Sequence, residues 1–202
     1  HADRTAEFTA PALLSTGLQL APTLPGALDA LGSSRVEIQG RPDWVMEIQP
    51  AVALNVVGLW RLHVAAVLLG ISRAAYEYSR QYCLERVAFG KKIAHHQAVA
   101  FTIADMAIAI EGARLLVHEA ALNVDRAIDS LFEPHSAYLQ AAECALFVTN
   151  YAVQFLASAG YVRDHPVEKW MREARALTLL LGGIDGAQAD ANRALSIQME
   201  AA

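Results

Sequence analysis

Cysteine is scarce in these 202 residues, limited to Cys83 and Cys144. Two thiols cannot build a disulfide framework, and a reducing, cytoplasmic setting is the simpler expectation. Basic residues are outnumbered: 16 Lys and Arg face 21 Asp and Glu, for a formal net charge of −5. That balance argues against nucleic acid as the main partner. Long uninterrupted apolar runs are also missing. Residues 64–72 are apolar but far too short to cross a bilayer, so no membrane span is expected. No secretory signal pattern stands at the start, where charges and prolines break each apolar run. Neither a phosphate loop nor a Ser-His-Asp signature is present. His95 and His96 are adjacent, so they diverge on a helix start. No carboxylate or cysteine completes a metal site around them.

Proline becomes rare after residue 50, where only Pro134 and Pro166 remain. Proline breaks helix interiors, so the proline-free stretches are where long helices can form. Residues 1–45 read as an irregular N-terminal segment, with one short-strand signal at residues 35–39 (RVEIQ). Residues 46–202 read as a helical domain. A first helix is expected over 46–88, where Leu54, Val57, Arg61, Val64, Leu68, Ile71, Ala75 and Tyr78 recur at three- and four-residue steps. A second is expected over 96–130, with Val99, Ile103, Met106, Ile110, Ala113, Val117, Ala120 and Val124 on one stripe. The Glu133–Pro134 pair breaks the chain before a third helix, which runs to about 158. A fourth covers 167–181 and a fifth 185–200. Long helices with short connections predict an all-α, antiparallel up-down bundle. At 54% hydrophobic residues, such a bundle has more apolar surface than a monomer hides easily, which predicts an oligomer. Trp44, Trp60 and Trp170 read as packing residues.

The chemistry-bearing stretch is residues 82–97, YCLERVAFGKKIAHHQ. Its plain reading is a helix end whose basic residues complement the dipole. It also sets a guanidinium (Arg86), an aromatic (Phe89) and an amide (Gln97) around a glycine-permitted turn. Arginine suits a phosphate, and an amide suits a nucleotide edge. Gln154 reads equally as such an amide or as one inside the bundle.

The order of the words carries more than any one of them. ERVAFG, KI-x2-HQ, FTIADMAIAIEGARLL and AVQFLASAGYVRDHPVEKWMREAR follow one another. This order resembles the C-terminal domain of the acyl-CoA dehydrogenase family over about residues 55–200. The resemblance implies a helical bundle that packs two-fold, with FAD shared across a subunit interface. It implies that Arg86 meets the FAD pyrophosphate, that Phe89 packs on the cofactor, and that Gln97 and Gln154 hydrogen-bond its nucleotide part. Tyr161 and the turn at 164–166 would support the site. The family's glycine pair after that glutamine is Ala157–Ser158 here, where Ser158 could donate a hydroxyl bond.

A second departure concerns the base. The family removes an α-proton from an acyl thioester with a carboxylate, and a weakly acidic proton needs a positioned, desolvated base. The two family base positions fall on Leu181 and Trp60, neither of which accepts a proton. Asp185 is a possible substitute, with the plainer reading of a helix N-cap. The resemblance therefore implies a subunit of an FAD-dependent, acyl-CoA-processing homo- or hetero-oligomer that supplies interface and FAD contacts rather than the catalytic residue. The alternative is a non-enzymatic helical scaffold derived from the same family.

Overall fold

The computed structural model describes residues 18–22, 28, 34–38, 48–126 and 131–201. Two strands come first, β1 (Leu18–Pro22) and β2 (Ser34–Ile38). They pair antiparallel, with Leu18 opposite Ile38 and Pro22 opposite Ser34. The strand signal at 35–39 thus falls on β2. Its partner β1 was not legible, because residues 5–32 lack clear alternation. Trp44 lies outside the described residues.

Helix α1 (Pro50–Glu85) opens with proline in its first turn, where the missing N–H is no loss. The expected stripe faces inward: Leu54, Arg61, Leu68 and Ala75 are buried. Among the described residues, α1 alone is long and apolar enough to cross a membrane, its most apolar 18-residue window averaging a mean hydropathy of 1.8. Counting unbroken apolar runs misses it, because single polar residues such as Arg61 interrupt the run. In this fold α1 is a core helix. Its longest contact is with α3, and its buried arginine is partnered from α3 and α5.

A short hairpin, β3 (Val87–Ala88) and β4 (Lys91–Lys92), and one 3-10 turn lead into α2 (Gln97–Asp125). Helix α3 (Glu133–Leu156) is the centre of the bundle and packs against all four other helices. Its buried faces are largely alanine: Ala137, Ala141, Ala142, Ala145 and Ala152. Small side chains let neighbouring backbones approach closely, and the larger residues of the flanking helices fill the layer. The buried hydroxyls of Ser72 and Thr149 bond back to Leu68 and Ala145 carbonyls at 2.7 and 2.6 Å, so neither is left unpaired. Helices α4 (Val167–Leu177) and α5 (Gly183–Ala201) complete an all-α domain.

Several boundaries differ from expectation, and three of them have a visible local reason. Helix α1 stops at Glu85 because Arg86 turns extended, at ψ 127°. Helix α3 stops at Leu156 because Ala157 has φ +51°. Helix α4 stops at Leu177, and Leu181, Gly182 and the first residue of α5, Gly183, all have positive φ.

Candidate cofactor site

The hairpin after α1 turns on Phe89 and Gly90, with φ values of +54° and +80°. Two left-handed residues in a two-residue loop match the twist of paired strands. Glycine adopts that backbone freely. A phenylalanine there costs of the order of 1–3 kcal/mol. Burial does not offset it, since the Phe89 side chain is 96% exposed. It stands edge-on to His96, ring centroids 6.2 Å apart. His96 Nε2 donates to the Ala88 carbonyl at 3.3 Å and ties the hairpin to the start of α2.

Below this turn lies an open groove of about 360 Å³ between the hairpin, α2 and α3. Phe89, His96, Thr102, Tyr151, Gln154 and Phe155 are among its walls. Phe147, Tyr151 and Phe155 form a ladder of ring contacts along α3, at 5.1 and 6.1 Å. Gln154 is exposed on this wall, which removes the reading of a bundle-interior amide. Arg86, Gln97 and Ser158 do not line the groove. All three are exposed, each within four residues of a lining position.

The turn at Ala157–Tyr161 follows Gln154 directly. Ala157 holds φ +51° and ψ −126°, a backbone that glycine favours. Gly160 is required by space, since a β-carbon there would sit 2.6 Å from the Val153 carbonyl oxygen. The segment beyond is pinned through His165, whose Nδ1 shares a 2.7 Å hydrogen bond with the Tyr78 hydroxyl. Tyr82 also meets His165 edge-on, and Trp170 meets Tyr78 in the same way.

At another place on α1, Arg61 is 1% exposed. Its Nη1 donates to Asp190 Oδ2 at 2.8 Å and to His135 Nδ1 at 2.9 Å, and its Nη2 donates to the Leu181 carbonyl at 2.6 Å. One guanidinium thus joins α1, α3, α5 and the left-handed loop between α4 and α5. Gly186 permits this, because a β-carbon there would stand 3.4 Å from Arg61 Nη2. Burial, then the neighbouring guanidinium, push the His135 imidazole down to about 4, against a weaker upward pull from Asp190. His135 is therefore neutral at pH 7 and accepts from Arg61.

The family described as "Acyl-CoA dehydrogenase, C-terminal domain" matches residues 51–191. The chain belongs to the acyl-CoA dehydrogenase family. It is 37% identical over 131 residues to the short-chain specific acyl-CoA dehydrogenase of Clostridium acetobutylicum, covering 65% of this chain and 35% of that protein. It is also 37% identical over 126 residues to the 3-sulfinopropanoyl-CoA desulfinase of Paraburkholderia xenovorans, covering 62% and 32%. Among solved structures, butyryl-CoA dehydrogenase from Megasphaera elsdenii superposes with a TM-score of 0.78 at 26% identity, over 96% of this chain and 50% of that one. The chain spans about a third of the curated relatives it matches.

The two positions expected for the base, Leu181 and Trp60, have different surroundings. Leu181 supplies only its carbonyl to Arg61. Trp60, next in sequence to Arg61, is 66% exposed beside Val56, Leu59 and His63, so it is a surface residue and not the packing residue expected. Trp170 does pack, against Tyr78. Asp185 lies inside the first turn of α5 instead of capping it, and shares a shallow depression with Arg175. Sequence reasoning missed His96, Thr102, Tyr151 and Phe155. His96, Thr102 and Phe155 lay inside quoted motifs without being singled out, and Tyr151 lay just outside one. Tyr151 and Phe155 carried a usable signal: with Phe147 they recur every four residues, the spacing of one helix face.

Proposed function

We propose that this chain is part of a subunit of an FAD-dependent acyl-CoA dehydrogenase-type oligomer, and that it contributes cofactor and interface contacts rather than the base. The observation that carries this reading is the exposed Phe89, held at positive φ over a groove that Gln154 and Tyr151 also line. A strained, solvent-facing aromatic beside an amide is poorly explained by the chain's own packing and well explained by a planar ligand. FAD fits these residues at its nucleotide end. Phe89 and Tyr151 offer ring faces, Gln154 and Gln97 offer amides, and Arg86 offers a guanidinium suited to a diphosphate. Ala157 and Ser158 add β-carbons where the family carries glycine, so Ser158 would contribute a hydroxyl rather than a bare backbone. When bound, the flavin supplies the hydride acceptor.

The apolar residues at both base positions support a supporting role. Leu181 and Trp60 can shape a pocket wall but hold no proton. The 3-sulfinopropanoyl-CoA desulfinase, matched at the same 37% identity, supports a CoA-thioester substrate class without fixing one reaction. An acyl-CoA is the substrate class that the family supports. The buried, unpaired thiols of Cys83 and Cys144 support a reducing, cytoplasmic setting.

The test is flavin retention. The chain is purified alone and together with a full-length, glutamate-bearing family subunit, and visible flavin absorbance is recorded for each. Flavin that depends on this chain, and that falls on Arg86→Ala and Gln154→Ala without loss of helicity, supports the reading. Losing one buried charged contact weakens such binding by roughly 2–5 kcal/mol. Flavin content indifferent to this chain and to both variants would instead favour the non-enzymatic scaffold, which the lost glycine pair at Ala157–Ser158 also suits.

A further inference from the structure

Helix α1 has an outward cavity that neither the core nor the hairpin groove uses. Val56, Leu59, Trp60 and His63 follow at steps of one to four residues and share one side of the helix. Among the described residues these four line an open cavity of about 500 Å³. That volume is the size of a small-molecule site, and such sites pair a mostly apolar wall with a few placed polar atoms. Trp60 supplies the wall, with its ring system 66% exposed.

His63 supplies the polar atom, and its own helix orients it. The Nδ1 atom lies 2.7 Å from the Leu59 carbonyl oxygen. A carbonyl only accepts, so Nδ1 carries the proton, and in the neutral ring Nε2 keeps its lone pair. With Nδ1 turned to the backbone, the opposite edge of the ring faces out. Nε2 has no hydrogen-bond partner among the described residues, and the side chain is exposed. A ligand without a donor would strip water from this acceptor and leave it unpaired, which is costly. A ligand with a hydroxyl would replace the water.

Formal charge is missing from this lining. Between residues 48 and 72 the one charged side chain is Arg61. It is sealed inside the bundle on Asp190, His135 and the Leu181 carbonyl. A carboxylate or phosphate in the cavity would meet no counter-charge from the described lining, and desolvating it there is unfavourable.

We propose that this cavity binds a neutral, flat ring compound bearing one hydroxyl, with its ring against Trp60 and its hydroxyl donating to His63 Nε2. The indole selects a flat apolar body, the imidazole selects a donor, and the uncharged lining selects neutrality. The proposal does not rest on the flavin reading, because the cavity shares no lining residue with the hairpin groove.

Nuclear magnetic resonance of the isotope-labelled 202-residue chain at pH 8 tests it, using the indole N–H signals of its tryptophans. Trp60→Phe identifies the Trp60 signal by its loss. 2-Naphthol is expected to shift that signal and to saturate below about 1 mM. 2-Methoxynaphthalene keeps the rings without the donor, and 2-naphthoate adds a charge. Both are expected to bind about tenfold or more weakly. His63→Phe should lower 2-naphthol affinity to the level of the methoxy compound. His63→Gln offers a carbonyl acceptor and should restore it to within about threefold. Trp60→Ala, followed by equilibrium dialysis, should lose about tenfold or more. Far-UV circular dichroism checks that each variant is folded. No shift at Trp60, equal binding of the three probes, or 2-naphthol affinity unchanged in folded His63→Phe overturns the proposal.

Discussion

Two arginines on the same stretch of chain have opposite surroundings. Arg61 is sealed inside the bundle, with bonds to Asp190, His135 and the Leu181 carbonyl. Arg86 stands exposed at the end of α1, beside a strained hairpin whose aromatic faces solvent. A buried guanidinium needs partners from its own chain, because leaving it unpaired in a low dielectric is costly. An exposed one has water, and is available to a ligand or a second subunit. The first arrangement holds the fold together, and the second leaves a guanidinium in solvent. The same residue type thus serves stability in one place and, under the proposed function, recognition in the other.

The comparison breaks first if Arg61 proves dispensable. Arg61→Ala should destabilise the domain by about 3–5 kcal/mol, since Asp190 loses its partner and the Leu181 loop loses its anchor. Urea unfolding measures it. Arg86→Ala in the same assay should stay within about 0.5 kcal/mol, as expected for an exposed position.

The His135 imidazole sharpens the contrast through pH. Its pKa is pushed from 6.5 to about 4 in the folded chain. Below pH 6.5 the unfolded chain takes up a proton that the folded chain refuses. Stability is therefore complete above pH 6.5 and declines as pH falls, by about 3 kcal/mol on reaching pH 4. Thermal melts across pH 4–7 measure the slope. His135→Gln should flatten it.

Two smaller effects test the turn beside the candidate cofactor groove. Gly160→Ala places a methyl group 2.6 Å from the Val153 carbonyl oxygen and should cost about 1–3 kcal/mol. Ala157→Gly should do the reverse and raise stability by about 1 kcal/mol, because glycine relieves the positive φ. Equal and small effects at both positions would show that the turn is softer than its geometry implies. If Ala157→Gly also raises flavin retention in the paired assembly, the loss of the family glycine has weakened the cofactor edge.

Much of the fold was legible from periodicity. The inward stripes of α1 and α2 were read correctly from three- and four-residue steps, except that Val124 ends exposed. Helix ends were read less well, because they depend on left-handed residues that composition does not mark. Phe89, Ala157 and Leu181 all adopt positive φ without being glycine.

The candidate site was legible only where its residues sat in a recognised order of words. Phe89 and Gln154 meet on one groove, but Tyr151 lay in a stretch that looked like ordinary helix, and Thr102 was read only as part of a helix stretch. Nor did any motif connect Arg61 to Asp190 and Leu181, which lie more than a hundred residues away. Apolar spacing and proline placement were sufficient to specify an all-α bundle, because a helix must bury its stripe wherever it lies. Which polar groups share the interior depended on how the helices cross, and only the tertiary structure decided that. A hydrogen bond is set by ångström-scale distances that no local pattern encodes.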